Sequence, residues 1–165
     1  MEKILIQICM ACLGSVGFAI YFNVEKTRLI PAALGGLVSW SVYLICFHIT
    51  ANLFIANFVA VIIVCILSEI LARRLKAPAN IFLIPSIIPL VPGGSLYYTM
   101  AAAISGDAVL FEAKAMETMY SVLGITMGVV IGFFIFSTAM GCWRNRNSTY
   151  HLKEREEYQK SILRK

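Results

Sequence analysis

Charge is scarce in this sequence. Of 165 residues only 14% are Asp, Glu, Lys or Arg, while 59% are hydrophobic and the mean hydropathy is +0.80. A water-soluble domain of this length needs more polar surface to cover its core, so that class is excluded. Catalytic groupings are missing as well. No triad, phosphate-binding loop, metal-ligand cluster or pair of catalytic carboxylates occurs, and the glycine-rich pieces lack a strand-loop-helix context. The expectation is therefore no enzyme, no metal and no cofactor. The net charge of +5 comes without a basic stripe interleaved with aromatics, which argues against nucleic acid. The basic residues lie beside apolar blocks, where anionic lipid headgroups and membrane topology explain them.

What is present is a series of apolar blocks, each about long enough for a helix to cross ~30 Å of hydrocarbon. Backbone polar groups there must be satisfied internally, which leaves helices or closed barrels. The blocks are continuous rather than alternating, so an all-α integral membrane protein with about five transmembrane helices follows. The spans expected are 4–22, 29–47, 52–71, 79–105 and 119–143, with a charged tail over 144–165. The first could be mistaken for a signal peptide. However, Met1-Glu2-Lys3 carries no clear positive bias and Gln7 interrupts the apolar start, so it reads as a retained helix. Pro31 suits the first turn of the second span. Gly14, Ser15 and Gly17 form one small-residue patch, and Gly124, Gly128 and Gly132 form another at four-residue spacing; both suit close helix packing.

The five cysteines fall within or at the ends of these blocks. Cys9 and Cys12 make a C-x-x-C on a predicted membrane helix, without a βαβ context or a second pair, and read as small packing residues. Basic residues fix the orientation. With the 1–2 link, the 3–4 link and the tail inside, twelve of fourteen Lys and Arg residues are cytoplasmic, and only Lys3 and Lys114 are outside. The expected topology is N-terminus out and C-terminus in, with a polar outer loop holding Asp107, Glu112, Lys114 and Glu117.

The fourth block is the unusual one. Pro85, Pro89 and Pro92 stand in a membrane-length run and are followed by Gly93 and Gly94. Each proline deletes an i to i−4 hydrogen bond, which would free the carbonyls of Ile81, Pro85 and Ile88. Adjacent glycines then lower the barrier to leaving helical geometry. Ser95 is expected to N-cap a second half-helix, whose free N–H groups would favour an anion. Broken helices hold anionic groups and ions in many secondary transporters. The plainer alternative is a kinked packing helix, but three prolines and Gly-Gly exceed what a kink requires. Tyr97, just past the break, is either an ordinary amphipathic aromatic or a solute-facing one.

Glu69 is the acidic residue placed well inside a predicted span. It is either a proton-coupling carboxylate or the partner of Arg73 one turn on. Asn57 could line a path or hydrogen-bond across helices. His48 reads as structural.

Three pieces together carry a family resemblance. They are Val16-Gly17-Phe18-Ala19 with Phe22-Asn23-Val24, Glu69 with Ala72-Arg73-Arg74, and Ile88-Pro89-Leu90-Val91-Pro92-Gly93-Gly94 with Tyr97. From about Gly14 to the end of the fifth span the chain resembles the small, membrane-only module of the threonine/serine exporter family. The Pro-Leu-Val-Pro-Gly-Gly element is the most specific part. The resemblance implies proton-motive export of small amino acids or small carboxylates across a bacterial cell membrane. It further implies a larger partner subunit, while the small number of spans points to a homo-oligomer, a complex with that larger subunit, or both. The alternatives are a homo-oligomeric channel or carrier without a partner and a membrane-assembly protein without transport.

Overall fold

In a computed structural model, residues 2–163 are described, with side chains described for residue 2 and residues 4–139. The elements in chain order are α1 (Glu2–Tyr21), a 3-10 turn (Lys26–Arg28), α2 (Leu29–Thr50), α3 (Leu53–Arg74), α4 (Asn80–Ile87), a second 3-10 turn (Ile88–Leu90), α5 (Gly93–Ser105) and α6 (Ala108–Leu163). No strand occurs among the described residues. The chain divides into two units, residues 1–133 and residues 134–165. The described part of the second belongs to α6, and the charged side chains expected there as a cytoplasmic tail lie outside the described residues. Apart from the extent of α6, everything below concerns the first unit.

Four stretches are long and apolar enough to cross a membrane: Ile4–Tyr21, Lys26–Thr50, Leu53–Arg74 and Ala108–Ala139. Asn80–Leu90 with Gly93–Ser105 adds a fifth span if the pair, bent by 51° at the break, counts as one. The all-helical membrane fold expected from composition is the one observed.

Local chemistry explains the ends. Asn52 caps α3 through its side-chain oxygen, which accepts from the backbone N–H of Phe54 at 2.9 Å and of Ile55 at 3.3 Å, satisfying donors that a helix start leaves open. Ala51 just before it takes a left-handed φ of 48° and closes α2 through its N–H to the Phe47 carbonyl. Two residues thus suffice to reverse the chain. At the other corner Gly106 takes a φ of 75°, a conformation glycine adopts freely. Asp107 then caps α6 by accepting from the Leu110 N–H at 3.0 Å. This cap corrects one expectation. The stretch through Glu112, Lys114 and Glu117, expected as a polar loop, is the opening of α6.

In lipid, helix association depends on close packing rather than on withdrawal from water, and the buried residues fit that rule. α2 packs against α1, α3 and α4. Gly36 faces Ser15 of α1, and Gly35 faces Ser86 of α4, so closely that neither glycine has room for a Cβ. Gly124, Gly128 and Gly132 of α6 meet Phe54, Val61 and Cys65 of α3, the packing role their spacing suggests. Gly14 and Gly17, expected to do the same, have nothing within 4 Å; Ser15 between them makes the contact instead. Ala60, Val61, Val64 and Cys65 of α3 join Leu83 and Leu90 in the apolar core. Leu90 therefore anchors the chain immediately before the break.

Candidate functional site

Two residues interrupt the fourth span. Val91 is extended, at φ −61° and ψ 126°, as the ring of a following proline favours. Pro92 follows at φ −77° and ψ 55°. Helix resumes at Gly93 with Pro92 as its cap residue, so both glycines belong to the first turn of α5 and neither has a positive φ. The break therefore lies one step earlier than the Gly-Gly pair suggests. Ser95 is inside the helix and forms no cap. The Ile88 carbonyl, expected to be orphaned, accepts from the Val91 N–H at 3.1 Å because the chain tightens into a 3-10 turn there. Pro85 sits buried inside α4, and Pro89 lies in that turn.

At the start of α5 the Gly93 N–H turns back to the Val91 carbonyl at 2.7 Å, and the Leu96 N–H reaches the Pro92 carbonyl at 2.9 Å. Among the described residues no acceptor faces the N–H groups of Gly94 and Ser95. An ideal Cβ on Gly93 or Gly94 would meet nothing within 4 Å, so this turn is open to approach. Tyr97 and Tyr98 stand edge to face with centroids 5.5 Å apart, and both are exposed.

The side chain of Ser95 points at a residue that sequence reasoning left in a loop. Its hydroxyl donates to Glu117 Oε2 at 3.3 Å, and both Glu117 oxygens lie 2.9 Å from Lys114 Nζ. Lys114 and Glu117 fall within the apolar stretch Ala108–Ala139, so Glu69 is not the sole acidic residue on a spanning helix. Asp107 after Gly106, followed by the apolar run Val109-Leu110-Phe111, is the helix-start signal that would have placed them there. On the core side, Trp40 stacks on Tyr43 at 5.0 Å, and its indole N–H is buried with no acceptor.

The other expected residues lie apart from the break. Asn57 is buried on α3, where its amide nitrogen donates to the Leu53 carbonyl at 2.8 Å and its oxygen has no partner. That is a bond within its own helix rather than across helices, and the side chain packs against Gly124. Nearby, Ala51–Phe54 together with Tyr120 and Leu123 line an open groove of about 600 Å³. Glu69 is half-buried on α3, one turn from Cys65 and from Arg73. His48 is exposed.

These features define a multi-pass, all-helical membrane protein with an interrupted span, the class to which many carriers belong. Residues 7–139 match the family described as Threonine/Serine exporter, ThrE. That is most of the chain, and the protein belongs to this family, whose activity is transport. A Haemophilus influenzae relative described as an uncharacterized protein is 27% identical over 140 residues, covering 85% of this chain and 47% of the relative. The chain thus spans about half the length of that relative. No solved structure matches.

Proposed function

We propose that this chain is a membrane subunit of a secondary exporter that moves small amino acids, or other small carboxylates, out of the cell. The observation that carries the reading is the interrupted fourth span. A helix that restarts at Gly93 offers the free N–H groups of Gly94 and Ser95 within an otherwise apolar segment. Non-helical backbone at membrane depth persists where it is buried in protein or lines a wet cavity. A carboxylate at such a helix start gains roughly 1–2 kcal/mol from the helix dipole when partly buried, along with charge-assisted hydrogen bonds. The family's activity supports export as the direction.

The exporter needs more than this chain. Five short spans hardly enclose a water-filled path and also supply two parts that move against each other. The length of the Haemophilus influenzae relative supports a larger partner that contributes the rest. The open face around Gly14 and Gly17 favours a second reading, a homo-oligomeric carrier joined through α1. Proton coupling through Glu69 belongs to the same proposal. So does the orientation, with the N-terminus outside and the C-terminus cytoplasmic.

Gly94→Leu tests the solute site. Because nothing lies within 4 Å of the new Cβ, the variant should express and assemble as the parent does. Its larger side chain would cover the free N–H groups and strongly weaken binding of L-serine or L-threonine. Equal affinity in parent and variant would make the break a packing kink.

A further inference from the structure

Positive charge collects at one end of the bundle. Gly36 of α2 meets Ser15 of α1, and Gly35 meets Ser86 of α4. Six or seven residues along each helix from these contacts, the end of α1 at Tyr21 and the starts of α2 at Leu29 and α4 at Asn80 fall in one layer. α3 returns along α2 from a two-residue corner, and both helices have 22 residues, so the end of α3 at Arg74 joins that layer. Lys26, Arg28, Arg73, Arg74 and Lys76 therefore share it with a single carboxylate, Glu25, and Glu69 lies one turn further in. Arg28 is paired with Glu25 at 3.3 Å. Lys26, Arg74 and Lys76 are exposed, and no carboxylate among the described residues pairs with them.

Local structure does not account for all three. Arg74 suits the end of α3, but Lys26 stands in the turn that leads into α2, where the helix dipole disfavours a cation. α2 has no acidic residue in its first turn and no side-chain cap to offset it. Lys76 takes a left-handed φ of 48°, a conformation that glycine adopts more readily. Beside the cations lie exposed apolar side chains: Tyr21 and Phe22, edge to face at 5.6 Å, with Ile30 and Leu75. Unpaired cations next to apolar surface at a membrane face complement a phospholipid, which brings an anionic phosphate and acyl chains in one molecule.

We infer that Lys26, Arg74 and Lys76 form a headgroup site for one anionic phospholipid, which ties the α1–α2 corner to the α3–α4 corner at the root of the broken span. Topology by itself asks only that basic residues lie on one side; this site asks that two corners act on the same lipid. A headgroup without a cation, as in phosphatidylglycerol, leaves its phosphate charge to the protein. Phosphatidylcholine brings a quaternary ammonium that repels the three side chains, so it is selected against. The site lies at the opposite end of α4 from the break and does not rest on the solute reading.

The test uses the full chain, charged tail included, in mild detergent. It is titrated with phosphatidylglycerol, phosphatidylcholine or glycerol phosphate, and native mass spectrometry counts what stays bound. The parent should retain one phosphatidylglycerol, at least about tenfold more tightly than phosphatidylcholine, and no glycerol phosphate. Each cation beside an anionic headgroup is worth about fivefold in affinity. Lys26→Gln should therefore weaken retention about fivefold, Arg74→Gln with Lys76→Gln about 25-fold, and all three together about 100-fold. The three side chains are exposed, so the variants should stay monodisperse, and Lys114→Gln at the other end should bind as the parent does. Loss confined to one corner's substitutions would overturn the shared site. Equal retention of the two lipids, or glycerol phosphate held as tightly as phosphatidylglycerol, would replace it with a general phosphate-binding surface. Parental retention by the triple variant, or none by the parent, would sink the inference outright.

Discussion

Gly36→Ala is the sharpest test of how this bundle is held together. A Cβ at position 36 would lie 2.5 Å from the Ser15 Cβ and 3.3 Å from the Ala11 carbonyl oxygen, on top of a clash with the Ser15 hydroxyl. The hydroxyl can rotate away, but the Cβ cannot. To reach ordinary contact at 3.4 Å, α1 must retreat from α2 by about 0.9 Å at a site where both residues are fully buried or nearly so. Overpacking of this kind costs roughly 1–3 kcal/mol, and the better helix propensity of alanine offsets up to about 1 kcal/mol of it. Because the backbone-fixed Cβ forces α1 to shift as a unit, the upper part of that range applies, and a net loss of about 1–2 kcal/mol corresponds to a fall of roughly 2–8 °C in Tm for a chain of this size. Thermal unfolding in detergent, followed by monodispersity, reads it out. Gly94→Ala is the matched control, because its Cβ meets nothing within 4 Å, and it should melt with the parent or slightly above. Adding Ser15→Gly to Gly36→Ala moves the small residue to the other helix and should restore most of the loss, with a coupling of about 1–2 kcal/mol. The reasoning is refuted if Gly36→Ala melts with Gly94→Ala, or if Ser15→Gly gives no rescue.

Two further outcomes follow from charge. In a background without the five native cysteines, Ser105→Cys should react with an impermeant maleimide from outside intact cells and Tyr150→Cys should not; external labelling at position 150 would overturn the orientation. If Glu69 relays a proton, Glu69→Gln should abolish pH-driven efflux and leave counterflow exchange intact. Near-normal transport by Glu69→Gln with Arg73→Gln would instead make the pair structural.

The spans were legible because lipid imposes a simple rule on sequence: a helix must be apolar along its whole length. The start of α3 at Leu53 and the place of Pro31 in the first turn of α2 needed little more. The break was legible in kind because prolines delete hydrogen bonds wherever they stand. Its position was not, since the 3-10 turn at Ile88–Leu90 absorbs a carbonyl that an all-or-none view leaves unpaired. Charge misled the reading at α6. Glu112, Lys114 and Glu117 looked like a solvated loop, whereas the Asp107 cap commits them to helix and the α5–α6 corner brings Glu117 back to Ser95. That contact joins residues 22 apart, and spacing along one helix says nothing about it. The same holds for Gly36 with Ser15 and Gly35 with Ser86, where glycine and serine were visible and their partners were not.

The central claim is that this chain is one subunit of an exporter, and efflux from preloaded cells tests it most directly. Cells lacking their own serine and threonine exporters are loaded with labelled L-serine or L-threonine. They express this chain alone, a larger subunit of the same family from the same source alone, or both together. The account predicts efflux well above background when both are present, collapsing when the proton gradient is dissipated, and background efflux from either one alone. Equal efflux from this chain alone would contradict the subunit claim, and background efflux from the pair for both solutes would contradict amino-acid export itself.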